Sequence, residues 1–400
     1  MKISEVIDRK SSKEFLEVPK ILYRDDPFWV CPLDVEIEGI FNPENNSCFQ
    51  HGEAIRWTLK NDQDQLVGRI AAFYDRRKEG HFDYPTGGAG FFECIDNQEA
   101  ANMLFDTAVE WLKSKGMQAM QAPINFGENY NYWGLLVEGF LHQAYAMPYN
   151  FPYYQKLFEN YGFRNYFEQN SFHKDLSEGW PERQIKFAQF AETRPGYSFE
   201  HFSYKHVDKY IHDFVTSYNN IWKGFHENYT PLKHDDVRKI IVEAKMVIDE
   251  ELIWFAYYER KPVGLVIAFP DINQILAKLK NGKLNLLNKL KLFYYRKRAV
   301  TRSRVFIAGV DPEYQSAGVI AAMFYQLIKV IEKRPRHTEL ELSWVGDYNP
   351  RTLTLYNKFD AKQVKRHITY LYLFDPKAPF RRFDNVFEGK LYKDDQTKKS

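Results

Sequence analysis

Arg304-Val305-Phe306-Ile307-Ala308-Gly309-Val310-Asp311-Pro312-Glu313-Tyr314-Gln315-Ser316-Ala317-Gly318-Val319-Ile320 is the most informative stretch of this chain. An apolar strand over 304–310 runs through a tight turn into a helix that the spacing predicts over Ser316–Glu332. The exposed amides at such a helix start form a positive concavity that suits a pyrophosphate, and Gly318 would let the backbone approach the ligand. On spacing alone, an ordinary helix start explains the stretch equally well.

This strand and helix belong to a longer order of elements in the second half of the chain. A hairpin precedes them, and a strand, a short helix and a last strand follow. The predicted ranges are Leu252–Tyr258 and Pro262–Phe269 for the hairpin, Thr338–Val345 for the strand, Pro350–Phe359 for the short helix and Ala361–Phe374 for the last strand.

The first half shows the same order, which indicates an internal duplication. Val67–Phe73 aligns with Val263–Phe269 at an offset of 196, and Leu157–Phe163 aligns with Leu355–Ala361 at an offset of 198. Two matches in the same order and at nearly the same offset support a repeat. The predicted elements of the first half are a hairpin over Ala54–Lys60 and Gln65–Tyr74, a Gly-rich break over Thr86–Gly90, a helix ended by Gly116, a strand over Met117–Pro123, a helix near Pro152–Tyr161 and a strand from Phe163.

Two segments of the second half resemble signatures of the GNAT acyltransferase superfamily. Val310–Gly318 looks like its coenzyme A pyrophosphate loop. The pattern of that loop is Gln or Arg, then two residues, then Gly, then one residue, then Gly or Ala. Asn349–Phe359 is similar to its second signature, an Asn at a helix start with a Tyr seven residues on. The resemblance covers Phe199–Phe374 well and Ala54–Phe172 more weakly.

The resemblance implies a role for each matching residue. The strand ending at Val310 would pair with pantetheine, the loop would hold the pyrophosphate, Asn349 would contact the cofactor arm, and Tyr356 would protonate the departing thiolate. The implied cofactor is acetyl-CoA or a longer acyl-CoA as co-substrate, without a metal. The implied loop residues are Gln315, Ser316, Ala317, Gly318, Val319 and Ile320. Ile320 departs from the family pattern, in which a small residue stands there, and Asp360-Ala361 replaces the common Gly-Phe.

The first half lacks the same signatures. Its strand-to-helix turn, Glu93–Ala100, has three carboxylates and no glycine, and negative charge there would repel a pyrophosphate. Phe158 stands at the position of Tyr356 and cannot donate a proton. We therefore expect this half to keep the fold without cofactor chemistry. Its aromatic segment Asn125–Tyr154 either lines an acceptor pocket or packs the interface between the halves.

These patterns predict an α/β (α+β) protein of two GNAT-like domains, each a mixed, mostly antiparallel sheet flanked by helices. The predicted boundaries are 1–180 for a degenerate domain, 181–196 for a linker, 197–376 for the domain with the coenzyme A loop, and 377–400 for a charged tail. An insertion over 276–304 interrupts the second domain. Between Lys278 and Arg304 it carries ten Lys or Arg and no Asp or Glu. It predicts contact with an anionic membrane surface, with a 3′-phosphate or with RNA, or else a solvated helical cover with its leucines inward.

Other candidate functional residues give weaker signals. Alternation along Thr338–Val345 puts Glu341 on one face of the strand with Glu339 and Ser343. Glu341 could relay a proton through water, or this face could simply be solvated. Trp222 and Phe225 precede the second hairpin, where acceptors often bind in the superfamily. The eleven histidines form no convincing metal-ligand set.

Composition narrows the function classes. The 400 residues carry 55 Lys plus Arg against 53 Asp plus Glu, and this formal net charge of +2 does not indicate a nucleic-acid binder. Three cysteines without metal-ligand spacing, and an N-terminus without an apolar core, favour a cytoplasmic protein. Three functions stay open: an acyltransferase with a small acceptor, a non-catalytic acyl-CoA-binding sensor or scaffold, and an acyltransferase with a lipid-borne or polymeric acceptor.

Overall fold

The computed structural model describes residues 1–81, 83–127, 132–222, 231–246, 248–279, 281–295 and 298–383. Within these ranges thirteen strands join in one sheet. The strands are β1 (Lys2–Glu5), β2 (Gly52–Lys60), β3 (Leu66–Asp75), β4 (Thr86–Cys94), β5 (Ala119–Ala122), β6 (Leu135–Glu138), β7 (Arg164–Asp175), β8 (Tyr197–His201), β9 (Ile253–Tyr258), β10 (Lys261–Pro270), β11 (Arg302–Val310), β12 (Glu339–Gly346) and β13 (Lys362–Leu373).

The described ranges also contain eleven α-helices. They are α1 (Arg9–Leu22), α2 (Asp34–Ile40), α3 (Gln98–Ser114), α4 (Tyr154–Tyr161), α5 (Glu182–Glu192), α6 (Val207–Trp222), α7 (His234–Glu243), α8 (Asn273–Leu276), α9 (Leu286–Tyr295), α10 (Val319–Glu332) and α11 (Pro350–Lys358). None of these helices is long and apolar enough to cross a membrane.

The two halves contain the same elements in the same order, so the predicted duplication is confirmed. In the first half the order is β1, α1, α2, β2, β3, β4, α3, β5, α4 and β7. In the second half the order is β8, α6, α7, β9, β10, β11, α10, β12, α11 and β13. The first half adds β6, α5 lies between the two orders, and the second half adds α8 and α9 in the insertion.

Each half packs one long helix against its own strands because that helix has an apolar stripe. In α3, Ala101, Leu104, Phe105, Ala108 and Leu112 are buried, as their helical spacing predicts. The Asn97 side chain accepts a hydrogen bond from the Ala100 amide at 2.9 Å and caps the helix start. In the second half, α10 buries its own apolar stripe in the core that also contains strand residues of β10, β11 and β12.

The last strand of each half lies next to strands of the other half. The strand order is β1-β2-β3-β4-β5-β13-β7-β12-β11-β10-β9-β8, with β6 paired to β13 off this path. Thus β13 pairs with β5 of the first half, while β7 pairs with β12 of the second half. The two exchanged strands also pair with each other, with His367 opposite Gln169. The sequence order gave no indication of this exchange, which makes the sheet continuous.

Two predicted details of the elements were wrong. The Gly-rich break over 86–90 is the first part of β4, because its glycines admit neighbours that a side chain would displace. A Cβ on Gly90 would lie 1.9 Å from the Ile124 carbonyl oxygen. The helix predicted from Ser316 begins at Val319, after a 3₁₀ helix over Pro312–Ala317.

Candidate active site

The strands β11 and β12 separate part-way along their length. They pair in parallel from Arg302 opposite Glu339 to Val305 opposite Leu342, and both strands continue beyond that point without pairing to each other. On its other edge, β11 has a register shift against β10 at Phe306. Residues 306–309 are partly exposed, whereas the first four residues of β11 are buried. The unpaired half of β11 therefore borders a gap between the two strands, which we call the cleft, and its backbone groups there have no partner on β12.

The helix α10 begins at the end of this cleft. Gly318 stands between the 3₁₀ helix and α10 with φ +75°, a left-handed conformation that favours glycine. A Cβ at this position would lie 2.9 Å from Phe187 and 3.0 Å from Ala191, both on α5. Gly318 is thus required by the backbone and by the packing of α5, whereas the sequence analysis assigned it only to ligand approach.

The other predicted loop residues lie around the same turn. The Gln315 side chain donates a hydrogen bond to the Val310 carbonyl at 3.1 Å and so ties the turn to the end of β11. Ala317 and Ile320 are partly buried against the second-half core, and Val319 is buried in it. Ser316 contributes its backbone to the 3₁₀ helix. The structure therefore brings the predicted loop to the end of the unpaired part of β11, with the helix start beside it.

Tyr356 lies on α11 and is buried in the second-half core. Its ring meets that of Phe172 edge-on at 5.3 Å, and its hydroxyl makes no hydrogen bond within the described residues. Burial raises the pKa of Tyr356 well above the usual value of a phenol, so the hydroxyl stays protonated at neutral pH. Burial thus keeps the proton on the hydroxyl and also makes it a weaker acid than a solvated phenol.

Asn349 has a structural role at the start of the same helix. Its side chain accepts a hydrogen bond from the Thr352 amide at 3.2 Å and caps α11. At the other end, Asp360 adopts φ +58°, a left-handed conformation more usual for glycine. At the matching position of the first half stands Gly162, with φ +110°. The departure from the family pattern at Asp360 therefore leaves the left-handed end of the helix in place.

The matching place in the first half is closed. There β4 and β5 also pair only at their start, from Thr86 to Gly88, but every residue of β4 is buried. The Ile124 amide donates to the Ala89 carbonyl at 2.9 Å and fills the gap between the strands. Phe158, at the position of Tyr356, is fully buried among other aromatic rings. The cleft is thus open in one half only.

The acidic turn suggested that Glu93 lies where it would repel a pyrophosphate. Instead, its side chain points into the interior of the first half. It is buried at the end of β4 and accepts hydrogen bonds from the hydroxyls of Tyr23 at 2.6 Å and Tyr154 at 2.9 Å. Arg69 lies 3.5 Å from its other oxygen. Burial raises the pKa of Glu93, while Arg69 and the two hydroxyls act in the opposite direction. Glu93 therefore organises the interior of the first half.

A cluster of charged side chains is buried where the two halves meet. The Lys365 ammonium lies 2.8 Å and 2.7 Å from the two oxygens of Glu341, and both side chains are almost fully buried. We call the group formed by Asp271, Arg302, Arg304, Glu341 and Lys365 the buried charge cluster. Arg302 donates to Asp271 at 2.9 Å and 2.7 Å and lies 3.6 Å from Glu341. With three cations and two carboxylates, the cluster has an excess of positive charge.

The buried charge cluster corrects two predictions. Glu341 does not lie on a solvated strand face: it is fully buried. Burial alone would raise the pKa of Glu341, but the cations of Lys365, Arg302 and Arg304 hold it below its ordinary value. Arg302 and Arg304 belong to the interior, although the sequence analysis counted them among the cations of the insertion. Alternation along β11 could have found them, because it puts both on one face.

The charge cluster begins where β11 and β12 separate. Arg304 hydrogen bonds to the Ser343 hydroxyl and to the Tyr145 carbonyl, and burial lowers its pKa to about 10. The Tyr145 amide in turn donates to Asp271 at 2.8 Å. Tyr145 of the aromatic segment therefore lies at the interface between the halves, where it contacts two members of the buried charge cluster.

Several buried polar atoms beside this cluster have no hydrogen-bond partner among the described residues. They are Trp133 Nε1, His367 Nδ1, Gln169 Nε2 and Ser171 Oγ. Residues 169 and 171 of β7 pair with 367 and 365 of β13, so this polar face is continuous with Lys365. Burial lowers the pKa of His367 to about 3, which keeps the imidazole neutral. His367 is therefore an uncharged member of this polar face at neutral pH.

Trp222 borders the unpaired part of β11 from the α6 side. A Cβ on Gly309 would lie 2.9 Å from its ring, so Trp222 lies close against the strand. Phe225, the other aromatic candidate, and Tyr130 of the aromatic segment lie outside the described residues. Among the residues that the structure describes, no three His, Cys, Asp or Glu side chains are grouped as metal ligands would be.

Comparisons with known proteins bear on this geometry. No family model matches the chain. A tandem GNAT protein of the clavulanic acid biosynthesis pathway superposes with a TM-score of 0.57 at 10% identity, over 94% of this chain and 99% of that one. The chain has the tandem GNAT fold. A GCN5-related glucosamine N-acetyltransferase region of a fungal β-N-acetylglucosaminidase superposes with a TM-score of 0.53 at 12% identity, over 93% of this chain and 38% of that one.

Two curated proteins are similar to this chain along nearly its whole length. Protein YghO of Escherichia coli (strain K12) is 26% identical over 377 residues, which cover 91% of this chain and 93% of that protein. The bacterial ceramide synthase of Caulobacter vibrioides (strain NA1000 / CB15N) is 26% identical over 374 residues, which cover 90% of this chain and 94% of that protein.

Proposed function

We propose that the protein is an acyl-CoA-dependent acyltransferase whose single coenzyme A site lies in the second half. The observation that carries the proposal is the asymmetry between the halves. Strands β11 and β12 separate beside a partly exposed backbone, whereas the matching gap beside β4 is filled. The open cleft ends at the start of α10, where free amides suit a pyrophosphate.

Tyr356 and the buried charge cluster would act on different steps of acyl transfer. An amine attacks the thioester carbonyl, a C–N bond forms, the C–S bond breaks, and the departing thiolate takes a proton from Tyr356. The attacking nitrogen must give up its own proton to solvent or to a base. The excess positive charge of the buried charge cluster disfavours a protonated amine bound near it, and so favours the nucleophilic form.

We propose that the acceptor is a lipid-borne amine. The similarity to a protein named bacterial ceramide synthase supports this class, because ceramide formation joins an acyl group to the amine of a long-chain lipid. The unpaired polar atoms of Trp133, Gln169, Ser171 and His367 offer hydrogen-bonding groups for the amine and hydroxyl groups of such an acceptor.

The proposal is tested by measuring thiol release from acyl-CoA with candidate acceptors. The purified protein is mixed with acetyl-CoA or palmitoyl-CoA, and with a long-chain amino alcohol, a soluble amino sugar or no acceptor. We expect acceptor-dependent thiol release with the long-chain amino alcohol and formation of the amide by mass spectrometry. Binding of acyl-CoA without turnover for any acceptor would instead support a sensor or scaffold.

Replacing Gly318 by alanine is expected to weaken coenzyme A binding at least tenfold. The new methyl group would strain the left-handed backbone by roughly 1–2 kcal/mol and would press on Phe187 and Ala191, so the amides of the helix start would move. Calorimetric titration with coenzyme A measures the change.

Gly116→Ala serves as the matched control for this variant. Gly116 has φ +86° and open space around its Cα, so alanine there strains the backbone without a clash and lies in the first half. We expect lower thermal stability but unchanged coenzyme A affinity. Wild-type affinity in the Gly318→Ala protein would contradict the assignment of the loop.

A further inference from the structure

The helix α9 of the insertion has an unusual distribution of apolar side chains. On its inner side, Asn288 is buried and donates to Asn281 at 2.9 Å and to the Lys283 carbonyl at 2.7 Å. Leu284 and Leu292 pack inward against a small core around Leu33. One face of the helix thus packs on the body of the protein, as expected of a helical cover.

The outer face of α9 is also apolar, which a solvated cover does not require. Leu286, Leu287, Leu290 and Tyr294 are 76%, 61%, 60% and 54% exposed. At 3.6 residues per turn, these four side chains occupy an arc of about 100°. Clustered apolar side chains on the surface mark an interaction site, because single exposed residues would not repeat on one helix face.

Cations border this apolar arc. Lys289 projects beside one border and Lys291 beside the other, and both are exposed. Lys278, Lys283 and Arg298 add exposed charge around the helix, while the insertion has no carboxylate from Lys278 to Arg304. An apolar arc between flanking lysines is the pattern of a helix that lies in the plane of an anionic bilayer, with its lysines reaching the headgroups.

We propose that α9 docks the protein on an anionic lipid bilayer by its outer face. The occupant is a bilayer surface, because that surface alone combines an apolar layer for the leucines with negative charge for the lysines on both borders of the arc. The inner side of α9 packs in the same small core as Tyr145, whose carbonyl binds Arg304 where the cleft opens. Docking there would bring the cleft close to lipid substrates; only this consequence rests on the proposed function.

The test is sedimentation of the full chain with vesicles, which requires no turnover and so fails independently of the proposed function. We expect binding to vesicles that contain phosphatidylglycerol, weak binding to pure phosphatidylcholine, and weaker binding to the former as salt rises. Lys289→Gln with Lys291→Gln should lower the affinity about thirtyfold at low salt. Leu286→Gln with Leu290→Gln should lower it at least tenfold at low and high salt.

Matched controls use exposed residues on other elements. Ile240→Gln with Val242→Gln removes two exposed apolar side chains of α7, and Lys10→Gln with Lys358→Gln removes two exposed cations. Both control proteins should bind vesicles as the wild type does. The proposal is overturned if the wild type ignores anionic vesicles, or if the α9 variants bind them normally. It is equally overturned if the leucine variant instead dissociates an oligomer or loses RNA binding.

Discussion

Replacing Glu341 by leucine is expected to lower the free energy of unfolding by roughly 3–5 kcal/mol. Glu341 is fully buried and both of its oxygens accept hydrogen bonds from Lys365. Without it, the Lys365 ammonium would stay in the interior next to Arg302 with no carboxylate bound to it. Lys365 would have to lose its proton or pull water into the interface, and either change is costly. Urea denaturation followed by circular dichroism measures the loss.

Two further variants distinguish the cost of leaving the buried Lys365 without a carboxylate from the cost of losing an ion pair near the surface. In Glu341→Leu with Lys365→Met, both charges are replaced by apolar side chains, so most of the stability should return. Glu339→Leu removes a carboxylate of the same strand whose partner, His173, is on the surface side at 3.2 Å, and it should cost less than about 1 kcal/mol. Equal losses in the Glu341 and Glu339 single variants would contradict the importance of the buried charge cluster.

The pH dependence of stability gives an independent measurement on Glu341. Its pKa is lowered in the folded protein, so its ion pair contributes stability at pH values above the unfolded pKa of about 4.3. That contribution is lost as the pH falls through the lower pKa of the folded state. Glu341→Gln should therefore show a shallower decline of stability below about pH 4 than the wild type.

Replacing Tyr356 by phenylalanine is expected to lower turnover roughly 10²-fold or more with little change in coenzyme A affinity. The variant removes the proton donor for the leaving thiolate and keeps the ring that packs on Phe172. Because the hydroxyl makes no hydrogen bond within the described residues, stability should change little. Thiol release measures turnover, and calorimetry measures affinity.

Tyr372→Phe is the control for the loss of a hydroxyl. Tyr372 is a partly buried tyrosine of β13 that packs on the rings of Tyr161 and Phe163 in the first half, away from the open cleft. Its removal should leave turnover unchanged. If the Tyr356 and Tyr372 variants both turn over like the wild type, Tyr356 is a packing residue and another group protonates the thiolate.

Much of the candidate site could be predicted because it is local in sequence. The strand to Val310, the turn, Gly318 and the helix follow one another without interruption, so apolar spacing and one glycine indicate the arrangement. Tyr356 could be placed because helical spacing fixes it relative to Asn349. The sequence also indicates that the first half has Phe158, without a hydroxyl, at the position of Tyr356. The filled gap beside Ala89 could not be predicted, because the residue that fills it, Ile124, comes 35 positions later.

The buried charge cluster could not be predicted because its members come from distant strands. Asp271 ends the hairpin, Arg302 and Arg304 begin β11, and Glu341 and Lys365 lie on β12 and β13. On a strand whose polar and apolar residues alternate, a carboxylate is expected to face solvent unless its neighbours across the sheet are known. Arg302 and Arg304 read as surface charge for the same reason.

The two repeats and their order of elements could be predicted from the sequence, because periodicity and turn residues act over a few positions. The exchange of neighbours between β7 and β13 is visible only in the folded protein, since strand pairing depends on burial between segments some 200 residues apart. That exchange brings Lys365 of β13 to Glu341 of β12 and closes the interface around two opposite charges. Tertiary packing also determines which face of α9 is exposed, because Leu33, far away in sequence, belongs to the small core against which Leu292 packs.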